Sequence, residues 1–489
     1  MYFERAAAHE CGVELRGILD FMEKLETMDN RAFMVLRHGK VVAEGYRTPF
    51  EQKNKQMIFS GTKSFAATVI GFAVDEGLIS LEDKVISFFP EKLTNPPCEN
   101  MQKMNIWHLL TMTTGFVPTD PILTCDQPDW IEKFLRAYVT HEPGTYYTYC
   151  NMATNMLSAI IEKVTGQSFE DYAKPRLLDP LGITDYHWER LMDGTTTAGF
   201  GLNMCIEDYA KLGQLLLQKG RWEGRQLVSE KWVEEMTGKQ VDTSMDIWPT
   251  MDRKSGYGYQ FWRCQIPNVY RADGSKAQFC VVMPDQDAVV VTFCSHQNLY
   301  DVLVPMWDHL IPAMKDHVER DPELERLYEE KKAAYSFPVV EGAADSKRSA
   351  TYSGKQYCIA DNRFGITGFS LDFGEDKNVI RLQCGEGHKG CANVGKNGAW
   401  ARSDKFIEPV GQITIRAMFT KEVSATGAWV GDQYVVRMIY LTSPYEDVWT
   451  FDFVGNAVKI HFCRTTLAPG IVAKDRTTTE ADLIGYYVL

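Results

Sequence analysis

Apolar residues recur at helical spacing from Gly12 to Leu25 and from Phe65 to Glu76, where Gly77 supplies a C-terminal stop, and both stretches are predicted as helices. Between Ala32 and Tyr46 the pattern alternates and is broken at His38-Gly39-Lys40, which predicts a β-hairpin. Residues from about 85 to 240 are mostly helical in pattern and include the amphipathic run Met152 to Lys163, closed by Thr165-Gly166. Strand patterns return at Gly258 to Arg263, Phe279 to Met283 and Ala288 to Phe293, the last two flanking the turn Pro284-Asp285-Gln286-Asp287. Pairing the early strands with the late ones gives one antiparallel sheet flanked by helices. A final helix over about Val302 to Met314 covers it, and the helical segment stands as a second lobe. A pocket between two such lobes is a usual place for a site.

Beyond this region the character of the chain changes. His317 to Lys332 is charged, and Ser336 to Ala350 is rich in small residues and glycine, which reads as a linker. From Thr351 onward strands alternate, as at Gln412 to Thr420, Tyr434 to Leu441 and Val448 to Cys463, the last broken by Gly455-Asn456. The expected organisation is a mixed α/β (α+β) domain over residues 1–335, a linker over 336–350, and an all-β barrel or sandwich over 351–489. No internal repeat or low-complexity tract interrupts it.

Length and charge narrow the function classes. At 489 residues the chain exceeds one typical domain. A net charge of −13 without a compensating basic run argues against binding nucleic acid or an anionic membrane. Met1-Tyr2-Phe3-Glu4-Arg5 lacks a basic segment followed by an apolar core, and no long uninterrupted apolar run follows, so a cytoplasmic protein is expected. The twelve cysteines show no framework spacing and are expected mostly as reduced, buried thiols. Cys384-Gly385-Glu386-Gly387-His388-Lys389-Gly390-Cys391 offers three soft ligands, but a structural zinc wants four and no paired CxxC follows. A glycine-rich β-turn is the better reading, and no metal or cofactor is expected.

The chemistry lies in Ser60-Gly61-Thr62-Lys63 at the start of the second predicted helix. Residues three apart share a helix face, so the Lys63 amine can reach the Ser60 hydroxyl. Serine is a poor nucleophile until a base takes its proton, and lysine serves only if burial or nearby positive charge lowers its pKa. Chance alone supplies about one such tetrapeptide in a chain of this composition, so its context decides. Downstream, His141-Glu142-Pro143-Gly144 turns into Thr145-Tyr146-Tyr147-Thr148-Tyr149-Cys150-Asn151 and then the Met152 helix, which places Tyr149 and Asn151 on a loop facing the first site.

SxxK followed by YxN resembles the serine β-lactamase and penicillin-binding-protein superfamily. The wider context is similar to its class C β-lactamase-related serine hydrolases, a group of esterases, D-aminopeptidases, amide hydrolases and acyltransferases. That context comprises Phe59 to Phe65, Trp107-His108-Leu109-Leu110-Thr111-Met112-Thr113-Thr114-Gly115, Val164 to Tyr172 and Asp179-Pro180-Leu181-Gly182-Ile183. The resemblance covers roughly residues 10 to 315. It implies a β-lactamase/DD-peptidase-like sheet and helical lobe, and the terminal β-domain is similar to barrels appended to some D-aminopeptidases.

The third motif departs from the family. Where KTG or HxG is usual, this chain has Tyr270-Arg271-Ala272-Asp273-Gly274-Ser275-Lys276-Ala277-Gln278-Phe279. A branch of amide hydrolases and esterases carries GxxGQ there, which Gly274 and Gln278 match while Ala277 replaces the second glycine. The resemblance implies an oxyanion hole from the N–H groups of Ser60 and Ser275, with Asn151 donating to substrate or to Lys63. It also implies an acyl-enzyme on Ser60, with Lys63 and Tyr149 sharing proton traffic and Tyr149 favoured as phenolate beside a charged lysine. Loss of the motif Lys or His argues against efficient β-lactam turnover.

The expected reading is therefore a serine hydrolase acting on a small-molecule ester or amide. Acyl transfer to an alcohol or amine, D-aminopeptidase action, and a sensor that stays acylated are the alternatives. His108 reads as a structural histidine. Phe116 to Trp130 and Tyr257 to Trp262 shape the pocket without spelling out an acyl group, and oligomeric state is unread.

Overall fold

In a computed structural model, residues 2–93, 96–124, 127–244, 250–296, 298–362, 364–387, 389–407, 420–465 and 478–487 are described. The chain forms two compact units, Met1–Gly45 with Met57–Ala333, and Tyr46–Gln56 with Ala334–Leu489.

The first unit is built on a six-stranded sheet. Helix α1 (Leu15–Glu26) precedes the hairpin β1 (Asn30–Arg37) and β2 (Lys40–Tyr46), and α2 (Thr62–Asp75), α3 (Asn151–Thr165) and α4 (Ile206–Leu217) follow. The sheet is completed by β3 (Trp262–Arg263), β4 (Tyr270–Gly274), β5 (Gln278–Met283) and β6 (Ala288–Cys294), in the order β2-β1-β6-β5-β4-β3. The first and last strands of the segment thus meet in antiparallel register, Phe33 opposite Thr292 and Ala32 opposite Phe293. Opposed residues share a face and neighbours alternate, so Phe33 and Phe293 point to opposite sides. Phe33 meets Phe21 of α1 edge-on at 5.6 Å, whereas Phe293 stacks on Tyr209 of α4 at 6.3 Å. Both faces are covered, which is why β1, β5 and β6 are buried along their whole length. Helix α4 comes close to the sheet at Gly213, where a Cβ would lie 2.6 Å from Cys280 Sγ and from Val289 Cγ1.

Several elements differ from the sequence pattern for local reasons. The helix expected over Val302 to Met314 is a broken run of Leu299–Val302, Met306–Leu310 and Ile311–Ala313, interrupted by the prolines at 305 and 312. The strand expected from Gly258 shrinks to Trp262–Arg263 because Gln260 adopts φ +62°. The first helix starts at Leu15, after Gly12 turns the chain with φ +69°. No helix among the described residues is long and apolar enough to cross a membrane.

The second unit is a β-barrel. Its strands are β7 (Gln356–Ile359), β8 (Ile366–Phe373), β9 (Lys377–Cys384), β10 (Lys389–Gly395), β11 (Ala401–Ile407), β12 (Thr420–Val430), β13 (Gln433–Tyr440), β14 (Glu446–Val454), β15 (Ala457–Thr465) and β16 (Thr478–Tyr487). The order β10-β9-β8-β7-β16-β15-β14-β13-β12-β11 closes on itself through a parallel bridge from Gly395 to Thr426. Alternating burial along β9 and β14 puts one side chain in two inside. Asp447 sits buried there because Arg464 donates to both carboxylate oxygens at 2.6 and 2.7 Å and Tyr440 OH donates to one at 2.6 Å. The strand pattern read at Gln412 to Thr420 lies outside the described residues except for Thr420, which opens β12.

Two stretches read as plain linker or connection carry structure. Pro322–Ala334 and Lys347–Tyr352 are helices, and Ala343 pairs its backbone with Trp429. The segment Tyr46–Gln56, between β2 and α2 in sequence, belongs to the second unit. Phe50 shares an apolar cluster with Phe337, Ile439 and Leu441, and the Gln56 side-chain amide donates to the Leu441 carbonyl.

The described cysteines are all free thiols, but fewer are buried than expected. Cys11, Cys150, Cys264, Cys280 and Cys294 are buried, whereas Cys358 and Cys391 occupy outward positions of barrel strands and are exposed. Cys384 is half-buried at the end of β9 and Cys391 lies in β10; the glycine-rich turn therefore does not bury its thiols as expected. His388 lies outside the described residues, and no cluster of metal-ligand side chains occurs among the described ones.

Candidate active site

Ser60 lies on a short 3₁₀ turn, Phe59–Gly61, that feeds directly into α2. Phe59 is held at φ +47°, a left-handed conformation costing a non-glycine residue about 1–2 kcal/mol, so packing must hold it there. Ile58 N–H donates to the Leu202 carbonyl at 3.0 Å, and Leu202 N–H donates to the Thr62 hydroxyl at 3.1 Å. Thr62 in turn donates to the Phe59 carbonyl at 2.6 Å.

One turn along α2, Lys63 is buried, with its amine 3.1 Å from Ser60 Oγ, 2.6 Å from Asn151 Oδ1 and 2.5 Å from the Gly199 carbonyl. Burial pushes this amine down to about 7, against 10.5 for a free lysine. The three contacts then have a definite chemical meaning. A neutral amine has two N–H bonds and one lone pair. Asn151 Oδ1 and the Gly199 carbonyl only accept, so they take the two hydrogens. The lone pair is left for the one neighbour that can donate, the Ser60 hydroxyl.

Tyr149 completes the group. Its ring stacks on Trp262 at 6.1 Å and 20° and lies 4.7 Å from the Lys63 amine, and the Ser60 side chain is near enough to act on its phenol. Burial raises the Tyr149 phenol well above its ordinary value, although the Ser60 side chain pulls the other way. Burial thus works against the phenolate expected beside a charged lysine. With Lys63 neutral above about pH 7, no full positive charge on it offsets the desolvation, and Tyr149 stays a proton donor.

Asn151 is the first residue of α3 rather than its cap. The Cys150 thiol caps the helix, accepting from Ala153 N–H at 3.3 Å, which frees the Asn151 carbonyl oxygen for Lys63. His108 caps a short helix reciprocally with Asn105, its ring nitrogen accepting the Asn105 N–H at 3.0 Å, and burial lowers it to about 4.

The departing third motif forms the hairpin between β4 and β5. A Cβ on Gly274 would lie 2.1 Å from the Ile58 carbonyl oxygen, so only glycine lets this strand approach the turn that carries Ser60. Ser275 follows at the turn and is half-buried. Gln278 is buried, and its amide donates to the Cys294 carbonyl at 2.6 Å and to the Ser275 and Lys276 carbonyls at 3.3 Å each. It braces the turn from beneath. Lys276 and Ala277 both adopt φ +66°, so the position where the related branch has glycine needs a left-handed backbone here too. Ala277→Gly should stabilise the protein by about 0.5–1 kcal/mol once the added freedom of the unfolded chain is counted, read as a higher denaturation midpoint at unchanged m-value. An unchanged or lower midpoint would show that the turn carries no such strain.

Several residues at the site have no local sequence signal. Gly199 comes from an irregular loop, and the Arg253 guanidinium lies 3.8 Å over Trp262 and 5.9 Å from the Tyr149 ring centre. Gln260 joins three helices: its amide donates to the Leu109 and Leu110 carbonyls at 3.1 and 2.8 Å, and it accepts from Thr154 at 2.8 Å and, on its backbone, from Ser64 at 2.9 Å. This tether sets the strand from which Trp262 reaches Tyr149.

Comparison with known proteins places this geometry. Residues 21–310 match the family model described as Beta-lactamase. The chain is 28% identical over 244 residues to 6-aminohexanoate-dimer hydrolase of Paenarthrobacter ureafaciens, covering 44% of this chain and 59% of that protein. It is also 28% identical over 167 residues to a D-aminopeptidase of Brucella anthropi, covering 31% of each. The chain therefore spans about three-fifths of the first relative's length and under a third of the second's. A solved structure, the putative 6-aminohexanoate-dimer hydrolase from Bacillus anthracis, superposes with a TM-score of 0.51 at 22% identity over 63% of this chain and 86% of that one, a likeness of fold. With the family model matching more than half of its length, across the strands and helices that assemble Ser60, Lys63 and Tyr149, this chain belongs to the Beta-lactamase family.

Proposed function

We propose that the protein is a serine hydrolase that forms an acyl-enzyme on Ser60 with a small ester or amide. The observation that carries this is the buried Lys63 amine, whose two acceptor-only neighbours leave its lone pair for the Ser60 hydroxyl. Ser60 Oγ attacks the carbonyl carbon while its proton passes to Lys63. The negative charge on the carbonyl oxygen is held by the N–H groups of Ser60 and Ser275. The intermediate collapses as Tyr149 or the protonated Lys63 returns a proton to the leaving alcohol or amine, and water repeats the sequence to release the acid. Two relatives are named a 6-aminohexanoate-dimer hydrolase and a D-aminopeptidase, which supports hydrolysis of a small, non-lactam amide. The third motif supports the same choice, since Gly274-Ser275-Lys276-Ala277-Gln278 lacks the strand KTG or HxG.

A panel of p-nitrophenyl esters, D-aminoacyl amides, a linear 6-aminohexanoate amide and a chromogenic cephalosporin tests this reading. Continuing release from an ester or amide is expected, with little from the cephalosporin. The rate should rise with pH through about 7 and level off above it, because neutral Lys63 is the base. A single stoichiometric burst without further release would make the protein an acylated sensor instead.

A further inference from the structure

Tyr209 takes no part in the proton transfers above, yet its hydroxyl lies against both backbone segments of the proposed oxyanion hole. It is buried in α4, with its ring stacked against Phe65 at 6.2 Å and 27° on one side and Phe293 at 6.3 Å and 19° on the other. That clamp fixes where its hydroxyl goes. The hydroxyl lies 3.3 Å from the Gln278 carbonyl, at the first residue of β5. It also fills the space beside Gly61, where a Cβ would lie 2.3 Å from the oxygen and 2.9 Å from the ring carbon that bears it. On its other flank the Ser60 turn is met by Gly274, against the Ile58 carbonyl.

Resting on the acyl-enzyme reading, we propose that Tyr209 is a positioning residue for acylation: its hydroxyl, between Gly61 and the Gln278 carbonyl, sets the spacing of the two segments whose N–H groups receive the oxyanion. Ser60 precedes Gly61 by one residue, and Ser275 stands at the other end of the hairpin turn that closes at Gln278. Gly274 limits how near these segments come, and Tyr209 limits how they slide. Burial keeps the phenol protonated, so it remains a donor to the carbonyl. Oxyanion donors act only at hydrogen-bond range of the developing charge, so a shift of a fraction of an ångström in either segment is felt in the transition state more than in substrate binding.

The test is the rate of labelling by a fluorophosphonate, together with kcat and KM on a p-nitrophenyl ester. Tyr209→Phe should slow labelling and lower kcat by about tenfold, with KM within about twofold and the pH midpoint unchanged. Gly61→Ala, which drives a methyl against the same hydroxyl, should cost at least as much. The double variant should be no slower than the slower single one, because both changes act through one contact. Labelling of Tyr209→Phe at the wild-type rate would overturn the proposal. So would a shifted pH midpoint, which would mean an action on Lys63, or a loss that vanishes when rates are scaled to the folded fraction. An insoluble Tyr209→Phe would also overturn it, since the hydroxyl would then serve the fold. A wild-type protein that is not labelled at all would instead remove the acyl-enzyme reading itself.

Discussion

Ser60→Ala should fold normally, escape labelling by a fluorophosphonate, and lose at least about 10³-fold in kcat on the best ester. The size follows from what the side chain supplies. On the acyl-enzyme reading no covalent intermediate forms without the hydroxyl, and the proposed oxyanion donors and Lys63 can then only assist direct attack by water. The fold should survive because the turn is held by other groups, namely the Thr62 hydroxyl, the Leu202 backbone and the Gly274 contact. Labelling that persists in a folded Ser60→Ala protein would assign the nucleophile elsewhere.

Lys63→Met and Tyr149→Phe should each cost about 10²- to 10⁴-fold in kcat/KM, and the double variant should be little worse than the worse single one. On the proposed mechanism both act on the Ser60 proton, Lys63 by taking it and Tyr149 as the phenol beside the same side chain. Losses that multiply would mean two separate functions. Lys63→Met should also abolish the rise of activity through pH 7. Stability gives an independent check of the same pKa. The folded protein binds the Lys63 proton less readily than the unfolded chain does, so burial of the charge is a full cost below about pH 7 and is relieved as pH rises toward 10.5. The stability of wild type relative to Lys63→Met should therefore increase across that window and be flat below it. A flat difference throughout would show that Lys63 is not desolvated.

Much of the site was legible in the chain because its chemistry is local. Ser60 and Lys63 meet through the geometry of one helical turn, and the amphipathic runs that became α2 and α3 fall where periodicity puts them. Alternation likewise marked β13, β14 and β15, each with an inside and an outside that differ in polarity, whereas β5 and β6 stood out as short, nearly continuous apolar runs because both of their faces are buried.

What the tertiary structure decided are the quantities set by distant groups. Whether Lys63 is a base depends on its burial and on which atoms take its hydrogens, and the Gly199 carbonyl comes from a loop with no periodic signal. Tyr149 was legible as a member of the site, but its protonation was not, because the phenol answers to desolvation and to whether Lys63 is charged. For Gln278 the sequence left a site residue and a solvent-facing strand amide open; the structure buries it, with its amide on the Cys294, Ser275 and Lys276 carbonyls. Phe50 shows the same limit at the scale of domains. The chain on either side of its segment, up to Gly45 and from Met57, belongs to the first unit, while its apolar partners Phe337, Ile439 and Leu441 lie hundreds of residues away. Periodicity records which side of an element is buried; it carries no information about what buries it, and pKa, register and unit membership all depend on that.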